Sequence, residues 1–310
     1  MQASTVVILA TGGTIAGTAA SATDALGYRS AQLGVDALIA AVPALASRSI
    51  EAEQVAQIDS KDMDVGVWRA LAARAAAHLA RPEVAGLVVT HGTDTLEETA
   101  YVLHRVLAPT KPLVLTAAMR PATALHADGP QNLFDAVTLA SEPGARGVLV
   151  VVAGRVHGAL DVRKTHTWRL DAFGSGDPGP IAVVEGAHVR RWRDWPVGQA
   201  LGAALLDADP WPRVEIVTSH AGADGRIVDA LLALGIDGLV VAGTGNATLH
   251  HALEAALRRA LAQGVAVRCA TRVAEGGVRA GGAHDLPLTD AATPQQARVA
   301  LLLELLQRRG

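Results

Sequence analysis

The chain has 310 residues, half of them hydrophobic, 3% aromatic and 18% charged, with a formal net charge of −3. At roughly 100–200 residues per domain that length suggests two domains, and the near-neutral charge without a long basic run excludes nucleic acid and anionic membrane surfaces as expected partners. Its one cysteine, Cys269, excludes an intrachain disulfide and an all-cysteine metal site.

The residues Met1-Gln2-Ala3-Ser4-Thr5 lead straight into an apolar strand, without a basic n-region, a long h-region or a cleavage site. No secretory signal is expected. No apolar run approaches the roughly 18 residues needed to span a bilayer, so the reading is a cytoplasmic protein. Strands are expected at Val6–Ala10, Gly86–Thr90, Pro112–Ala117 and Gly147–Ala153, then at Val214–Ser219, Gly238–Gly243 and Val265–Thr271. None alternates polar with apolar residues. Strands buried on both faces, as in a parallel sheet, have this look.

Helical patterns lie between the strands. Trp68, Leu71, Ala72, Ala75 and Leu79 share one helical face, as do Leu249, Leu253, Ala256, Leu257 and Leu261. Asp128-Gly129-Pro130 offers a cap and a first-turn proline for the helix that follows. The stretch from about 155 to 213 is polar, holds four of the five tryptophans and several prolines, and reads as a hairpin region followed by a connection. Residues 1–190 are then an amino-terminal catalytic α/β domain, 191–212 a linker and 213–310 a carboxyl-terminal α/β domain. Cys269 reads as a small buried hydrophobe in the last strand, and His250-His251 as an exposed pair at a helix start. Thr293-Pro294-Gln295-Gln296 is a capping box for a final helix to Gln307, with Arg308 and Arg309 favourable at its negative end.

Chemistry concentrates where strands end. Thr93 and Asp94 put a hydroxyl and a carboxylate side by side just after Leu87-Val88-Val89-Thr90, where open α/β sheets hold their ligands. Val6–Ala10 leads in the same way into Thr11-Gly12-Gly13-Thr14-Ile15-Ala16-Gly17. Glycines there open backbone conformations closed to other residues. A phosphate cradle would call for Gly-Lys-Ser/Thr or Gly-x-Gly-x-x-Gly, and neither is present. The alternatives left are an ordinary tight turn or a nucleophilic Thr14, which would need a base or network to take its proton. Lys164, in Asp161-Val162-Arg163-Lys164-Thr165, can serve the second hydroxyl or be a surface lysine. Tyr28, one of two tyrosines, can serve the first or be an exposed loop tyrosine.

These residues occur in a familiar order. Thr11-Gly12-Gly13-Thr14-Ile15-Ala16-Gly17, Tyr28, Asp59-Ser60-Lys61-Asp62-Met63, His91-Gly92-Thr93-Asp94-Thr95-Leu96-Glu97-Glu98-Thr99 and Ala118-Met119-Arg120-Pro121 are followed by Asp128-Gly129-Pro130-Gln131-Asn132-Leu133 and Lys164. The chain resembles the bacterial L-asparaginases of the type II asparaginase/glutaminase-asparaginase family, nearly end to end. The resemblance implies a larger flavodoxin-like amino-terminal domain with a mainly parallel sheet and a smaller parallel α/β domain. It implies that Thr14 attacks a side-chain amide and forms an ester, assisted by Tyr28 on a mobile lid. Thr93, Asp94 and Lys164 would handle the proton and the water. Ser60, position 61 and the Thr93-Asp94 pair would bind an amino-acid amide, with Ser60 and Asp94 on its α-groups. No metal or organic cofactor is implied. A homotetramer of tight dimers is, with each site completed by a neighbour's smaller domain.

Three departures bear on recognition. Lys61 stands where the best-known members carry glutamine, replacing an acceptor with a donor-only cation. Thr248 stands where asparagine or serine is frequent. The neighbour's substrate-contacting glutamate has no secure match in a shortened stretch holding Glu275 and Asp285. Two other readings remain: an amino-acid-binding sensor on the same fold, and an amidase for another amide such as a tRNA-linked one. A sensor has no use for a second hydroxyl with a lysine, and the tRNA-linked amidases are expected to carry a further amino-terminal domain.

Overall fold

The apolar runs of the first half become adjacent strands of one sheet. The computed structural model describes residues 4–24, 26–282 and 284–309, so Met1, Gln2 and Ala3, read above as leading into the first strand, lie outside the described residues. The chain divides into two units, Met1–Leu206 and Asp207–Gly310.

In the first unit β1 (Thr5–Gly12), α1 (Val35–Ala40), β2 (Ile50–Ile58), α2 (Val65–Leu79), β3 (Val84–Thr90), α3 (Leu96–Leu107), β4 (Pro112–Thr116), α4 (Gly129–Ala140) and β5 (Gly147–Val152) follow one another. The short strands β6 (Arg155–Gly158), β7 (Arg163–Lys164), β8 (Phe173–Gly174), β9 (Ala182–Glu185) and β10 (His188–Arg191) come next. The sheet order is β10-β9-β6-β5-β4-β3-β1-β2. The pairings from β2 to β5 are parallel, and β6, β9 and β10 extend the sheet antiparallel. Strand order 2-1-3-4-5 is the flavodoxin-like arrangement, whose ligand crevice lies where the order reverses, between β1 and β3.

Alternate residues of each central strand face opposite sides. Val6, Ile8, Val88, Val114 and Leu149 pack with Val35 and Leu38 of α1 and with Leu133, Ala136 and Val137 of α4. Helices α2 and α3 pack against β1, β3 and β5, with Trp68, Leu71, Ala72 and Ala75 buried. Strand β2 was not expected from the sequence. Its Ile-Glu-Ala-Glu-Gln-Val-Ala-Gln-Ile is half-exposed because it is an edge strand, and charges on an edge deter pairing with other chains. Arg81 and Arg74 hold Glu51 and Glu53 there.

The second unit is built from β11 (Val214–Thr218), α5 (Arg226–Ala233), β12 (Gly238–Gly243), α6 (His251–Ala262), β13 (Ala266–Thr271) and α7 (Pro294–Arg309). Its three strands are parallel in the order β11-β12-β13. Val228 of α5 and Leu253, Ala256 and Leu257 of α6 cover one face with Leu239, Val241 and Cys269. Ala297, Leu301 and Leu302 of α7 cover the other with Val214 and Val240. Cys269 is fully buried, which pushes its thiol up to about 12. Thr293 accepts a hydrogen bond from Gln296 N at 3.1 Å, capping α7. Asp128 caps differently from its expected part. Its carboxylate takes the N–H groups of Met119 and Arg120, both at 2.9 Å, and so ties down the β4–α4 loop rather than the first turn of α4.

Candidate active site

Three strand exits converge at the reversal of strand order. Gly12, the last residue of β1, and Gly13 after it have φ of 104° and 81°, values that glycine alone adopts without strain. They deliver Thr14 to the start of a 3-10 turn, 8% exposed. The Thr14 Oγ lies 2.8 Å from the Tyr28 hydroxyl. Tyr28 comes from a loop whose neck is closed by paired backbone bonds between Thr18 and Arg29. That loop also leans on the β4–α4 loop, through Leu125 N to Ala22 O and Ala19 N to the Thr123 hydroxyl.

Strand β2 ends in the turn Ser60–Asp62, with Asp59 as its cap. Ser60 is buried. Its hydroxyl accepts from Asp94 N at 3.2 Å and its carbonyl from the Thr95 hydroxyl at 2.7 Å. Strand β3 exits through His91-Gly92 into Thr93 and Asp94, ahead of α3. Lys164, from the small β7–β8 pair, donates to Thr93 Oγ at 2.8 Å and to the Asp94 carboxylate at 2.6 Å. Glu97 in the first turn of α3 accepts from the Lys164 backbone N–H at 2.7 Å and so fixes where the lysine starts.

Thr14, Tyr28, Ser60, Thr93, Asp94 and Lys164 line one cavity of about 370 Å³ within the first unit. It pairs each of two hydroxyls with its own hydrogen-bonding partner, one phenolic and one cationic. A carboxylate and a buried serine stand beside them. Such a set can recognise a small zwitterion and activate a hydroxyl toward a carbonyl.

Lys61, expected in the binding set, stands apart from the other residues of the site. Its side chain is 60% exposed, pairs with Asp62 and does not line the cavity. The turn Ser60–Asp62 buries its first residue and points its second outward, so Lys61 shares the motif without sharing the pocket. In the second unit the Thr248 hydroxyl donates to Thr244 O at 2.8 Å and pairs with the Thr244 hydroxyl at 2.8 Å. Asp285 pairs with Arg258 at 2.6 Å, which holds its carboxyl below the usual range. Glu275 is exposed.

Sequence reasoning missed Leu26, Asp59, Met119, Thr167 and Trp168, which also line the cavity. Asp59 and Met119 lay inside the quoted motifs. Trp168 had only its membership of an aromatic-rich stretch as a signal. It is 57% exposed, on a turn in which His166 Nδ1 accepts from the Trp168 and Arg169 N–H groups.

The same chain matches two family models in succession. Residues 5–196 match "Asparaginase, N-terminal" and residues 213–309 match "Glutaminase/Asparaginase C-terminal domain". It is 37% identical to L-asparaginase 2 of Bacillus subtilis (strain 168), over 96% of this chain and 81% of that protein. Identity to L-asparaginase 2 of Escherichia coli (strain K12) is 38%, over 97% and 89%. Glutaminase-asparaginase of Pseudomonas fluorescens biotype A is 36% identical, over 97% and 86%. Among solved structures, a probable cytoplasmic L-asparaginase from Campylobacter jejuni superposes with a TM-score of 0.91 at 37% identity, covering 97% of this chain and 95% of that one.

Proposed function

The chain belongs to the asparaginase family, and on that premise we propose that it hydrolyses the side-chain amide of L-asparagine to L-aspartate and ammonia through an ester on Thr14. The observation that carries the proposal is the pairing of Thr14 with Tyr28 and of Thr93 with Lys164 in one cavity.

A threonine hydroxyl is too weakly acidic to attack an amide unaided. Tyr28, at 2.8 Å, is placed to relay a proton, taking up that of Thr14 as the Oγ–carbon bond forms while its own phenolic proton passes toward the amide nitrogen. Backbone N–H groups of the β3 exit turn can hold the developing oxyanion. Collapse breaks the carbon–nitrogen bond, and the amide nitrogen leaves as ammonia with the transferred proton. Water then adds to the ester beside Thr93, whose oxygen is oriented by the Lys164 ammonium. Breaking the ester releases aspartate and returns the proton to Thr14. Ser60 and the backbone N–H groups around it suit the substrate α-carboxylate. Asp94 suits the α-ammonium. Glutamine, with one more methylene, is a secondary substrate in this reading, as the name of the P. fluorescens relative would suggest.

The assembly and location follow the same reading. The protein acts in the cytoplasm as a homotetramer, with the second unit completing a neighbour's site. The engagement of Thr248 by Thr244 leaves that unit less to offer the substrate than an asparagine would. Light scattering of the intact protein should give four times 31.8 kDa. A monomeric mass with full activity would refute this assembly. The chemistry itself is tested by ammonia release from L-asparagine and L-glutamine. Thr14→Ala and Thr93→Ala should each lower kcat roughly a thousandfold or more, and undiminished release by Thr14→Ala would overturn the assignment.

A further inference from the structure

His91 lies in the β3 exit turn, two residues before Thr93, and none of the steps above uses it. It is fully buried, and burial pushes its imidazole down to about 4. Its Nδ1 lies 2.7 Å from Gly92 O and its Nε2 lies 2.9 Å from the Thr99 Oγ. Thr99 Oγ in turn lies 2.9 Å from the Trp68 indole nitrogen.

The chemistry of these atoms fixes the direction of every bond. A carbonyl only accepts, so Nδ1 carries hydrogen. A neutral imidazole has one N–H, so Nε2 accepts and the Thr99 hydroxyl donates to it. An indole N–H only donates, so Trp68 donates to Thr99. The chain therefore runs from Trp68 through Thr99 and His91 to the Gly92 carbonyl. Its origins are α2 and α3, and its end is the peptide that carries Thr93.

Gly92 is also where the three exits touch. A methyl group at Gly92 would overlap the Ser60 hydroxyl, and one at Gly13 would overlap the Gly92 backbone. Rotating the Gly92–Thr93 peptide would thus displace Thr93 relative to both Thr14 and Ser60. We propose that Trp68, Thr99 and His91 are positioning residues, which hold this peptide through a hydrogen-bond chain of fixed direction and so keep Thr93 in register with Thr14 and Ser60. The link to rate rests on the amide hydrolysis proposed above, whereas the chain itself does not.

The test has two arms on the full-length protein. Nitrogen-15 NMR of the imidazoles reads the His91 tautomer, with His91→Gln identifying its signals among the 11 histidines. The Nδ1–H form is expected, and an Nε2–H form overturns the chain whether or not the protein releases ammonia. In the kinetic arm Thr99→Val, nearly isosteric, removes the hydroxyl, and Thr99→Ser retains it. Thr99→Val should lose the single tautomer and lower kcat/KM about ten- to a hundredfold, the scale of a misplaced reacting group. Thr99→Ser should stay within about threefold of the parent, since it keeps the same donor. A Thr99→Val protein with unchanged tautomer and rate, or a Thr99→Ser protein equally impaired, overturns the positioning role. If Thr99→Val does not fold, the parent tautomer decides.

Discussion

Adjacent residues in the site motifs have unlike fates. Ser60 is buried against Asp94 and Thr95, while Lys61 faces outward to Asp62. A cation at position 61 therefore changes the surface beside the site rather than its lining. Its charge still reaches Asp94, which helps hold the lysine above its ordinary range after the larger effect of Asp62. That is a through-space effect on an exposed group, of the size salt screens away. Lys61→Gln should accordingly leave kcat and KM within about twofold of the parent at moderate ionic strength. Steady-state kinetics on asparagine checks this, and a KM shifted tenfold would place the ammonium in the pocket after all. Thr93 shows the opposite situation. Its neighbours His91 and Gly92 are committed to holding the backbone, which leaves its hydroxyl with Lys164.

At the level of elements, helices carry strand exits as well as cover the sheet. Asn132 on α4 is 2% exposed. Its Nδ2 donates to Ala117 O at 2.8 Å, beyond the end of β4, and to Asp128, while its Oδ1 accepts from Ala153 N at 3.0 Å, beyond the end of β5. Asn132→Ala would strand these partners, at a cost of about 2–3 kcal/mol. Urea unfolding reads the loss as a lower midpoint with an unchanged slope, and a midpoint equal to the parent's would contradict the bracing role. Strands β1 and β3, which lead to Thr14 and Thr93, were legible because both their faces are buried, which leaves uninterrupted apolar runs. Strand β2 was not, because an edge strand keeps one face in water and reads as mixed polarity. The turn residues Thr14, Ser60 and Thr93 were marked by glycines and by motif. Glu97 and Thr99 lay inside the same motif as Thr93, and Trp68 on a helical face expected to be buried, but their bracing contacts were not legible, because a polar group on a helix looks the same in sequence whether it braces a site or merely packs. Asp128 was marked as a helix cap by its Gly-Pro neighbours, and only the path of the preceding loop shows where its carboxylate is spent.

Across the whole molecule, each unit has its own core and its own main sheet, mixed in the first and all parallel in the second. The residues proposed for catalysis line one cavity of the first unit, at the reversal of strand order between β1 and β3. Topology thus places Thr14 and Thr93 in the exit turns of neighbouring strands although 79 positions separate them in sequence. Attack and hydrolysis are assigned to these two hydroxyls in turn, with Thr14 alone becoming esterified. Acid-quenched intact protein after mixing with asparagine, followed by peptide mass mapping, tests that assignment most directly, and Thr93→Ala should help by slowing the breakdown of the ester. An aspartyl ester on the peptide that contains Thr14, absent from Thr14→Ala, is the expected result; an ester on Thr93, or turnover of asparagine by Thr14→Ala at the parent rate, would contradict it.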